Sequence, residues 1–137
     1  VLPIERNRPD RAALRRFEEL LKAGEAVVLF PEGGGNADGI LQPLNPGALL
    51  LALRAKVPVV PVAVRNTGRV WVYGDPVPRR VDTPAPISVT YGTPLDLSDL
   101  AGTPGAIDAA TCRLTETLAT MLGQPVPVGK PQDRSQD

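Results

Sequence analysis

The sequence contains no histidine and only one cysteine, Cys112, among its 137 residues. The absence of histidine removes the commonest general base and the commonest metal ligand from the chain itself. A single cysteine cannot form an internal disulfide, and with no histidine beside it the chain has too few ligands for a zinc site. We therefore expect no metal centre, a buried structural role for Cys112 and a compartment in which thiols stay reduced.

The chain also lacks long apolar runs and a net charge. Its longest apolar segments, "ALLLAL" and "VPVVPVAV", are far shorter than the roughly 20 residues that a membrane-spanning helix needs. Its 15 basic residues balance its 15 acidic ones, so the charge does not indicate general nucleic-acid binding. Basic residues do concentrate in segments 1–16 and 54–80, where they could attract a phosphate or an anionic membrane surface, but ordinary solvated surface explains both segments more simply.

Two segments in the first half of the chain have the apolar spacing of helices. Residues 10–23 place an apolar stripe on one face, with Asp10 as N-cap and Gly24 after the last turn. Residues 45–56, "NPGALLLALRAK", are apolar nearly all round and predict a buried helix with Asn45 as N-cap.

The last part of the chain predicts a helix followed by a tail. A helix of about 17 residues is expected to begin after Gly105, because apolar residues recur there at helical spacing. From residue 123 onward the chain is polar and rich in proline and glycine. We therefore expect residues 123–137 to form a tail that is disordered or loosely draped over the protein.

Four segments rich in β-branched and aromatic residues predict strands at residues 26–30, 59–64, 69–73 and 87–92. The first contains no polar residue and so predicts a strand buried on both faces. Because strand, helix and strand succeed one another over residues 26–64, we predict a βαβ unit with parallel pairing. The predicted fold class is α/β, with a mostly parallel sheet flanked by helices. Pro61 lies inside the second strand, where it removes a ladder donor and indicates an edge or a bulge.

Three motifs occur in order in the first half of the chain. They are "PIER" at residues 3–6, "FPEG" at 30–33 and "VPVVPV" at 57–62, with "LNPGA" at 44–48 between the last two. In this order they resemble the sequence blocks of the lysophosphatidic acid acyltransferase family, part of the glycerolphosphate acyltransferase superfamily. The resemblance extends over residues 1–64.

The resemblance implies an incomplete acyltransferase-type domain, with residues 1–122 as its C-terminal part. The family's catalytic block, His-x-x-x-x-Asp, has no counterpart here and would lie upstream of Val1. In the family, the histidine acts as general base on a hydroxyl, which attacks an acyl thioester. The chain by itself is therefore predicted to be inactive, and no catalytic residue is assigned to it.

The resemblance also implies the substrates and their place in the cell. Acyl transfer would run from acyl-CoA or acyl carrier protein, as co-substrate and not as bound cofactor, to a lysophospholipid or glycerolphosphate-type hydroxyl. A protein with lipid substrates is expected at a membrane surface, peripherally and on the cytoplasmic face. Nucleic acid is not an expected partner.

The candidate substrate-binding residues are Arg6, Glu32, Gly33, Gly34 and Gly35. By resemblance Arg6 is a phosphate ligand, since a guanidinium can grip a phosphate through two parallel hydrogen bonds. Glu32 repels a phosphate, but it can accept hydrogen bonds from substrate hydroxyls or from N–H groups of its own turn, and both roles stay open. The three glycines would let backbone N–H groups approach an anion closely, although a flexible turn would also favour glycine.

One departure from the family pattern concerns the acceptor. Where the family has Thr-Arg-Ser after F-P-E-G, this chain has Gly34, Gly35 and Asn36, so a second cation near the phosphate is missing. We hypothesise that the acceptor is less anionic, or that Arg6 and another basic residue such as Arg65 supply the charge.

Two other functions fit the same residues. The first is a non-catalytic descendant of the acyltransferase fold that binds a lipid or phosphate without turnover. The second, weaker one is a nucleotide-binding α/β domain with the glycine loop around a phosphate. The glycines match neither the P-loop, which needs Gly-Lys-Ser/Thr, nor the dinucleotide motif G-x-G-x-x-G.

Overall fold

Helices and two short strands make up the described part of the chain. The computed structural model describes residues 11–34, 38–71, 74–78 and 86–129. Its elements are, in chain order, α1 (Arg11–Lys22), α2 (Gly47–Ala55), β1 (Val62–Arg65), α3 (Thr67–Val70), β2 (Ser88–Tyr91), a 3-10 helix (Ser98–Leu100) and α4 (Ala106–Leu122). Helices α1, α2 and α4 confirm the three helices predicted from apolar spacing.

Helix α1 contacts α2. Its apolar stripe, which includes Leu14, Phe17 and Leu21, is half-buried, as expected for an amphipathic helix on the surface of a core. The chain turns away from the helix at Gly24, as predicted. The predicted N-cap, Asp10, lies outside the described residues.

The hydrophobic core lies between α2 and α4. Leu49 of α2 is fully buried, and Leu114 and Leu118 of α4 belong to the same buried cluster. Two further leucines of this cluster, Leu41 and Leu44, come from the loop that precedes α2. The core therefore anchors the second half of that loop as well as the two helices.

Helix α2 starts one residue later than predicted. Gly47 is its first residue, and Pro46 rather than Asn45 is its N-cap. Helical hydrogen bonding begins with Leu50 N–H, which donates to Pro46 O at 3.0 Å. Asn45 instead takes part in closing the preceding loop.

Cys112 is exposed on α4, so the expectation of a buried cysteine is wrong. The buried residues Ala110 and Leu114 are each two positions away, which puts Cys112 on the opposite side of the helix. Its thiol donates to Glu116 Oε1 at 3.3 Å. This hydrogen bond and the negative charge of Glu116 raise the pKa of Cys112. The thiol therefore stays protonated near neutral pH, which does not suit a nucleophile.

Strands β1 and β2 pair antiparallel and form a two-stranded sheet. Val62 lies opposite Tyr91, and Val64 lies opposite Val89. The predicted mostly parallel sheet is therefore not confirmed among the described residues. Strand composition predicts which segments pair, but the direction of pairing depends on the path of the connection between the two strands, which local sequence does not encode.

Pro61 lies at a bulge, as its place inside a predicted strand indicates. Next to the sheet an antiparallel bridge joins Val59 to Leu95. Residues 60–61 on one side consequently oppose residues 92–94 on the other. The N–H that proline lacks falls where the ladder is already interrupted.

Residues 26–30, predicted as a strand buried on both faces, have no strand partner among the described residues. Val28 and Phe30 are each 82% exposed. The prediction is wrong for this structure, because an apolar strand is buried only where neighbouring strands and a layer of helices cover it.

The predicted strand at residues 69–73 begins instead with a helical turn. Its first two residues belong to α3, and residues 72–73 lie outside the described part of the chain. The local composition favours a strand, but Asn66 has a left-handed backbone conformation (φ 66°) that turns the chain out of β1 just before α3.

The two-stranded sheet has one covered face and one open face. Ala63 is 2% exposed, and β1 contacts α4. Val62, Val64, Val89 and Tyr91 lie on the other face and are 40–73% exposed, since alternate residues of a strand point to opposite sides. Apolar sheet faces of this kind are normally covered by another layer in a complete domain.

The end of the chain is described up to residue 129. Residues 124–129 follow α4 without helix or strand. Residues 130–137 lie outside the described part of the chain, so the predicted disordered tail stays a prediction. No helix in the described ranges has the length and apolar character needed to cross a bilayer.

A bidentate ion pair fastens the 3-10 helix to α4. Arg113 Nη1 and Nη2 donate to the two carboxylate oxygens of Asp99 at 3.0 and 2.7 Å. Nη1 also donates to Asp96 O at 3.0 Å. The hydrogen bonds from Arg113, helped by its positive charge, hold the pKa of Asp99 below its ordinary value.

Asp99→Asn is expected to lower the free energy of unfolding at neutral pH, because Arg113 loses its charged partner. The effect should fade as the pH falls. The pKa of Asp99 is lower in the folded than in the unfolded state, so its stabilisation is present above the unfolded value of about 3.9 and is lost as the pH falls through the folded value. Urea unfolding between about pH 7 and pH 2 measures this, with Asp38→Asn as an exposed control. A stability difference that does not change with pH would contradict the prediction.

Candidate functional site

The segment 31–45, called the loop below, has its two ends hydrogen-bonded to each other, and residues 35–37 within it lie outside the described part of the chain. Asn45 N–H donates to Pro31 O at 2.7 Å. Gly33 N–H donates to Phe30 O at 3.1 Å and makes a tight turn at the start of the loop. These bonds hold the two ends of the loop together directly after the exposed apolar segment 26–30. The paired ends are called the neck of the loop below.

The side chain of Glu32 makes a further hydrogen bond across the loop. Its Oε2 accepts a hydrogen bond from Gln42 N–H at 3.0 Å, and the residue is half-buried. Among the described residues Oε1 has no donor, and a carboxylate can accept about four hydrogen bonds in all. Glu32 therefore satisfies an N–H group of its own loop and keeps acceptor capacity for a substrate hydroxyl. The two roles considered for it from the sequence are thus compatible.

Gly33 is one position of the loop where the backbone favours glycine. Its backbone is left-handed (φ +74°), and a Cβ added there would lie 2.6 Å from Asn45 Nδ2. A side chain there would be strained by the backbone conformation, and the exposed amide of Asn45 would have to move aside. Gly33 consequently shapes the turn that carries Glu32, whether or not its N–H also faces a ligand.

The structure describes three of the five predicted binding residues. Glu32 and Gly33 lie together at the neck of the loop, and Gly34 follows them, exposed. Arg6 and Gly35 lie outside the described residues. Contact with a ligand stays a prediction for all five.

Arg65, considered from the sequence as a second phosphate ligand, has a partner within the protein. Its Nη2 donates to Met121 O, in the last turn of α4. A cation is favourable there because the C-terminal end of a helix carries partial negative charge. The structure thus gives Arg65 a role in joining β1 to α4.

Sequence reasoning missed Gln124, which it assigned to the tail. The Gln124 side chain donates from Nε2 to Gly39 O at 2.9 Å and accepts at Oε1 from Leu41 N–H at 2.7 Å. It therefore holds the second half of the loop to the end of α4. The available sequence signal is Gly123, which indicates a chain reversal after a helix but not the partner that the reversed chain meets.

The loop is distinct from an open pocket that lies elsewhere in the described part of the chain. The pocket, about 620 Å³ in volume, lies between the starts of α2 and α4, where Leu50, Arg54 and Ile107 are among its lining residues. Neither Glu32 nor Gly33 lines it. Within the described ranges, no three His, Cys, Asp or Glu residues come together as a metal site would require.

Comparison with known proteins relates the loop to acyl-transferring enzymes. A family profile described as "Acyltransferase" matches residues 1–65, which include the loop. A chloroplastic 1-acyl-sn-glycerol-3-phosphate acyltransferase of Brassica napus, BAT2, is 40% identical over 76 residues, which are 54% of this chain and 22% of that protein. The 1-acyl-sn-glycerol-3-phosphate acyltransferase of Limnanthes alba is 32% identical over 100 residues, or 70% of this chain and 34% of that protein.

A solved structure shows a similar fold. The 1-acyl-sn-glycerophosphate acyltransferase PlsC of Thermotoga maritima aligns with a TM-score of 0.63 and 23% identity, over 82% of this chain and 45% of that one. The fold is therefore similar to that of PlsC, and residues 1–65, which include the loop, match the acyltransferase profile. More particularly, the chain is related to the lysophosphatidic acid acyltransferase family, as its motifs predict. It spans between 22% and 45% of the length of these three proteins.

Gly33→Ala is expected to lower the free energy of unfolding by about 1–3 kcal/mol, because alanine is strained at positive φ and its Cβ would displace Asn45. The matched control is Gly47→Ala, where an added Cβ meets nothing within 4 Å. Chemical denaturation of both variants measures the difference. Equal stability of the two variants would contradict the role assigned to Gly33.

Proposed function

We propose that this chain supplies the acceptor-binding half of a lysophosphatidic acid acyltransferase-type site in phospholipid synthesis. The observation that carries the proposal is the geometry of Glu32 in the F-P-E-G motif. Its carboxylate is held at the neck of the loop by Gln42 N–H, and one of its oxygens is left without a donor among the described residues. The match of residues 1–65 to the acyltransferase family supports the assignment.

In the proposed reaction a base removes the proton of an acceptor hydroxyl as its oxygen attacks the carbonyl carbon of an acyl thioester. The ester C–O bond forms, the C–S bond breaks, and the thiol of coenzyme A or acyl carrier protein leaves with a proton. This chain contains no histidine, so the base of a His-x-x-x-x-Asp block would be contributed by residues other than these. Glu32 would accept a hydrogen bond from an acceptor hydroxyl and so orient the acceptor.

The phosphate side of the acceptor would be bound by the glycine segment and, by resemblance, by Arg6. Gly35 stands where the family has an arginine, so one cation is missing. Arg65 is a poor replacement because it already donates to Met121 O. The proposal therefore favours an acceptor less anionic than glycerol 3-phosphate.

The sheet would be larger in a complete acyltransferase domain. This chain spans less than half of each of the three proteins compared above. Val28 and Phe30, on the unpaired segment 26–30, expose their side chains, as does the open face of the β1–β2 sheet. Further strands and helices would cover segment 26–30 and the open face of the β1–β2 sheet. Together with the described strands they would form the mostly parallel sheet of the α/β fold predicted from the sequence.

The proposed substrates set the place of the reaction. A lysophospholipid acceptor resides in a membrane, so the protein would act peripherally at a membrane surface, and the thioester donor places it on the cytoplasmic face. No described helix is long and apolar enough to cross the membrane itself.

A second candidate function is binding of a lipid or phosphate without turnover. The observation that favours it is the replacement of the family's Thr-Arg-Ser by Gly34, Gly35 and Asn36, which removes a cation from the acceptor site. A protein of this kind would keep the loop and its backbone donors but would have no His-x-x-x-x-Asp block in its full-length sequence.

Glu32→Ala in the full-length protein is expected to lower kcat/KM for a lysophospholipid acceptor by at least about tenfold, because a charge-assisted hydrogen bond to the acceptor is lost. The KM for the thioester donor should not change. Thiol release from acyl-CoA measures the reaction, and Glu25→Ala, at an exposed glutamate nearby, is the control.

The purified 137-residue chain should release no thiol above background. A full-length protein that binds the acceptor without releasing thiol would instead support the binding function.

Gly35→Arg in the full-length protein is expected to raise turnover of lysophosphatidic acid about tenfold relative to a lysolipid with a neutral headgroup, because it restores the missing cation. Gly35→Gln provides a long polar side chain without charge and serves as the matched control. If the ratio of the two turnovers stays that of the original protein, charge at this position does not limit the choice of acceptor.

A further inference from the structure

The C-terminal end of α4 directs the chain back toward the candidate loop. Gly123 N–H donates to Thr120 O at 3.2 Å, and Gln124 N–H donates to Ala119 O at 3.0 Å. Gly123 itself is left-handed (φ 66°). This pair of bonds is the Schellman arrangement, which satisfies carbonyls of the last helical turn and reverses the chain. It therefore fixes the point from which the Gln124 side chain starts.

The side-chain amide of Gln124 pairs with the backbone of the loop as a residue of a neighbouring strand would. Its Oε1 accepts from Leu41 N–H at 2.7 Å, and its Nε2 donates to Gly39 O at 2.9 Å. One acceptor and one donor thus meet a donor and an acceptor that are two residues apart, which is the pattern between neighbouring strands. The contact joins residues 83 and 85 positions apart in the chain.

Glu32 also binds the loop segment that Gln124 holds. Leu41 N–H donates to Gln124, and the next N–H group, that of Gln42, donates to Glu32 Oε2 at 3.0 Å. Leu41 is only 5% exposed, so water is a poor substitute for the Gln124 oxygen at this N–H. Hydrogen bonds from two distant side chains, those of Gln124 and Glu32, therefore hold neighbouring N–H groups of the segment.

We propose that Gln124 is a positioning residue for Glu32. It holds the backbone of residues 39–41, and this backbone places Gln42 N–H at the Glu32 carboxylate. Gln124 itself does not touch the acceptor. The effect on acyl transfer rests on the function proposed for the loop, whereas the effect on the geometry of the loop does not.

The chemistry of the contact selects glutamine. Asparagine is shorter by one CH₂ group, and glutamate offers no N–H donor to Gly39 O. The bond from Arg65 to Met121 O ties the same helix end to β1 and does not involve Gln124. Replacing Gln124 should therefore release the loop while the helix end stays in place.

Amide hydrogen exchange of the full-length protein tests the geometric part of the proposal. In Gln124→Ala, the N–H groups of Leu41 and Gln42 should exchange at least about tenfold faster than in the original protein. Gln124→Glu keeps the acceptor for Leu41 N–H and should retain more protection there. Val126→Ala, which shortens an exposed side chain two residues further on, should change neither rate. Unchanged protection of Gln42 N–H in Gln124→Ala would overturn the proposal.

Steady-state kinetics with acyl-CoA and a lysophospholipid tests the functional part. Gln124→Ala should lower kcat/KM for the acceptor about tenfold and leave the KM of the thioester donor unchanged, and Gln124→Glu should restore part of the loss. Full acceptor kcat/KM in Gln124→Ala, together with a loss in Glu32→Ala, would overturn the proposal and leave the proposed function standing. If the original protein shows no transfer, the proposed function fails, and the exchange rates alone decide whether Gln124 positions Glu32.

Discussion

The apolar contact between α2 and α4 is the constraint on which the other parts of the molecule depend. Leu49 of α2 is fully buried, and Leu114 and Leu118 of α4 pack in the same cluster. Burial of one such leucine contributes about 1.5–3 kcal/mol, more than the about 0.5–1.5 kcal/mol of a typical single hydrogen bond. Leu41 and Leu44 of the loop belong to the same cluster. Because these two leucines are buried there, the core itself holds the candidate site in place.

Side chains hold one part of the loop, and a tight glycine turn shapes its start. Glu32 and Gln124 bind backbone groups of residues 39–42. At the start of the loop, Gly33 makes a turn that no other residue would adopt without strain. A binding site benefits from this arrangement, since a carboxylate held by a hydrogen bond is oriented before a ligand binds.

Features decided within a few residues could be predicted from the sequence. The helices follow from apolar spacing, the bulge follows from the N–H that Pro61 lacks, and the F-P-E-G motif identifies the acyltransferase relationship of the chain. Other features could not. Cys112 lies on a helix with apolar residues on more than one side, and contact with α2 decides which side is buried. The segment 26–30 has the composition of a buried strand, but burial requires neighbours that the described residues do not provide.

The sequence by itself determined the helices, the motifs and the lack of a histidine base, because spacing, composition and short motifs are properties of adjacent residues. Only the tertiary structure decided that β1 and β2 run antiparallel and that Glu32 meets Gln42. It alone also showed that a glutamine after the last helix holds the loop, across 83 residues. The physical reason is that packing of α2 on α4 brings together backbone groups from distant segments, and those groups are the same in every residue. No local pattern records which of them will meet.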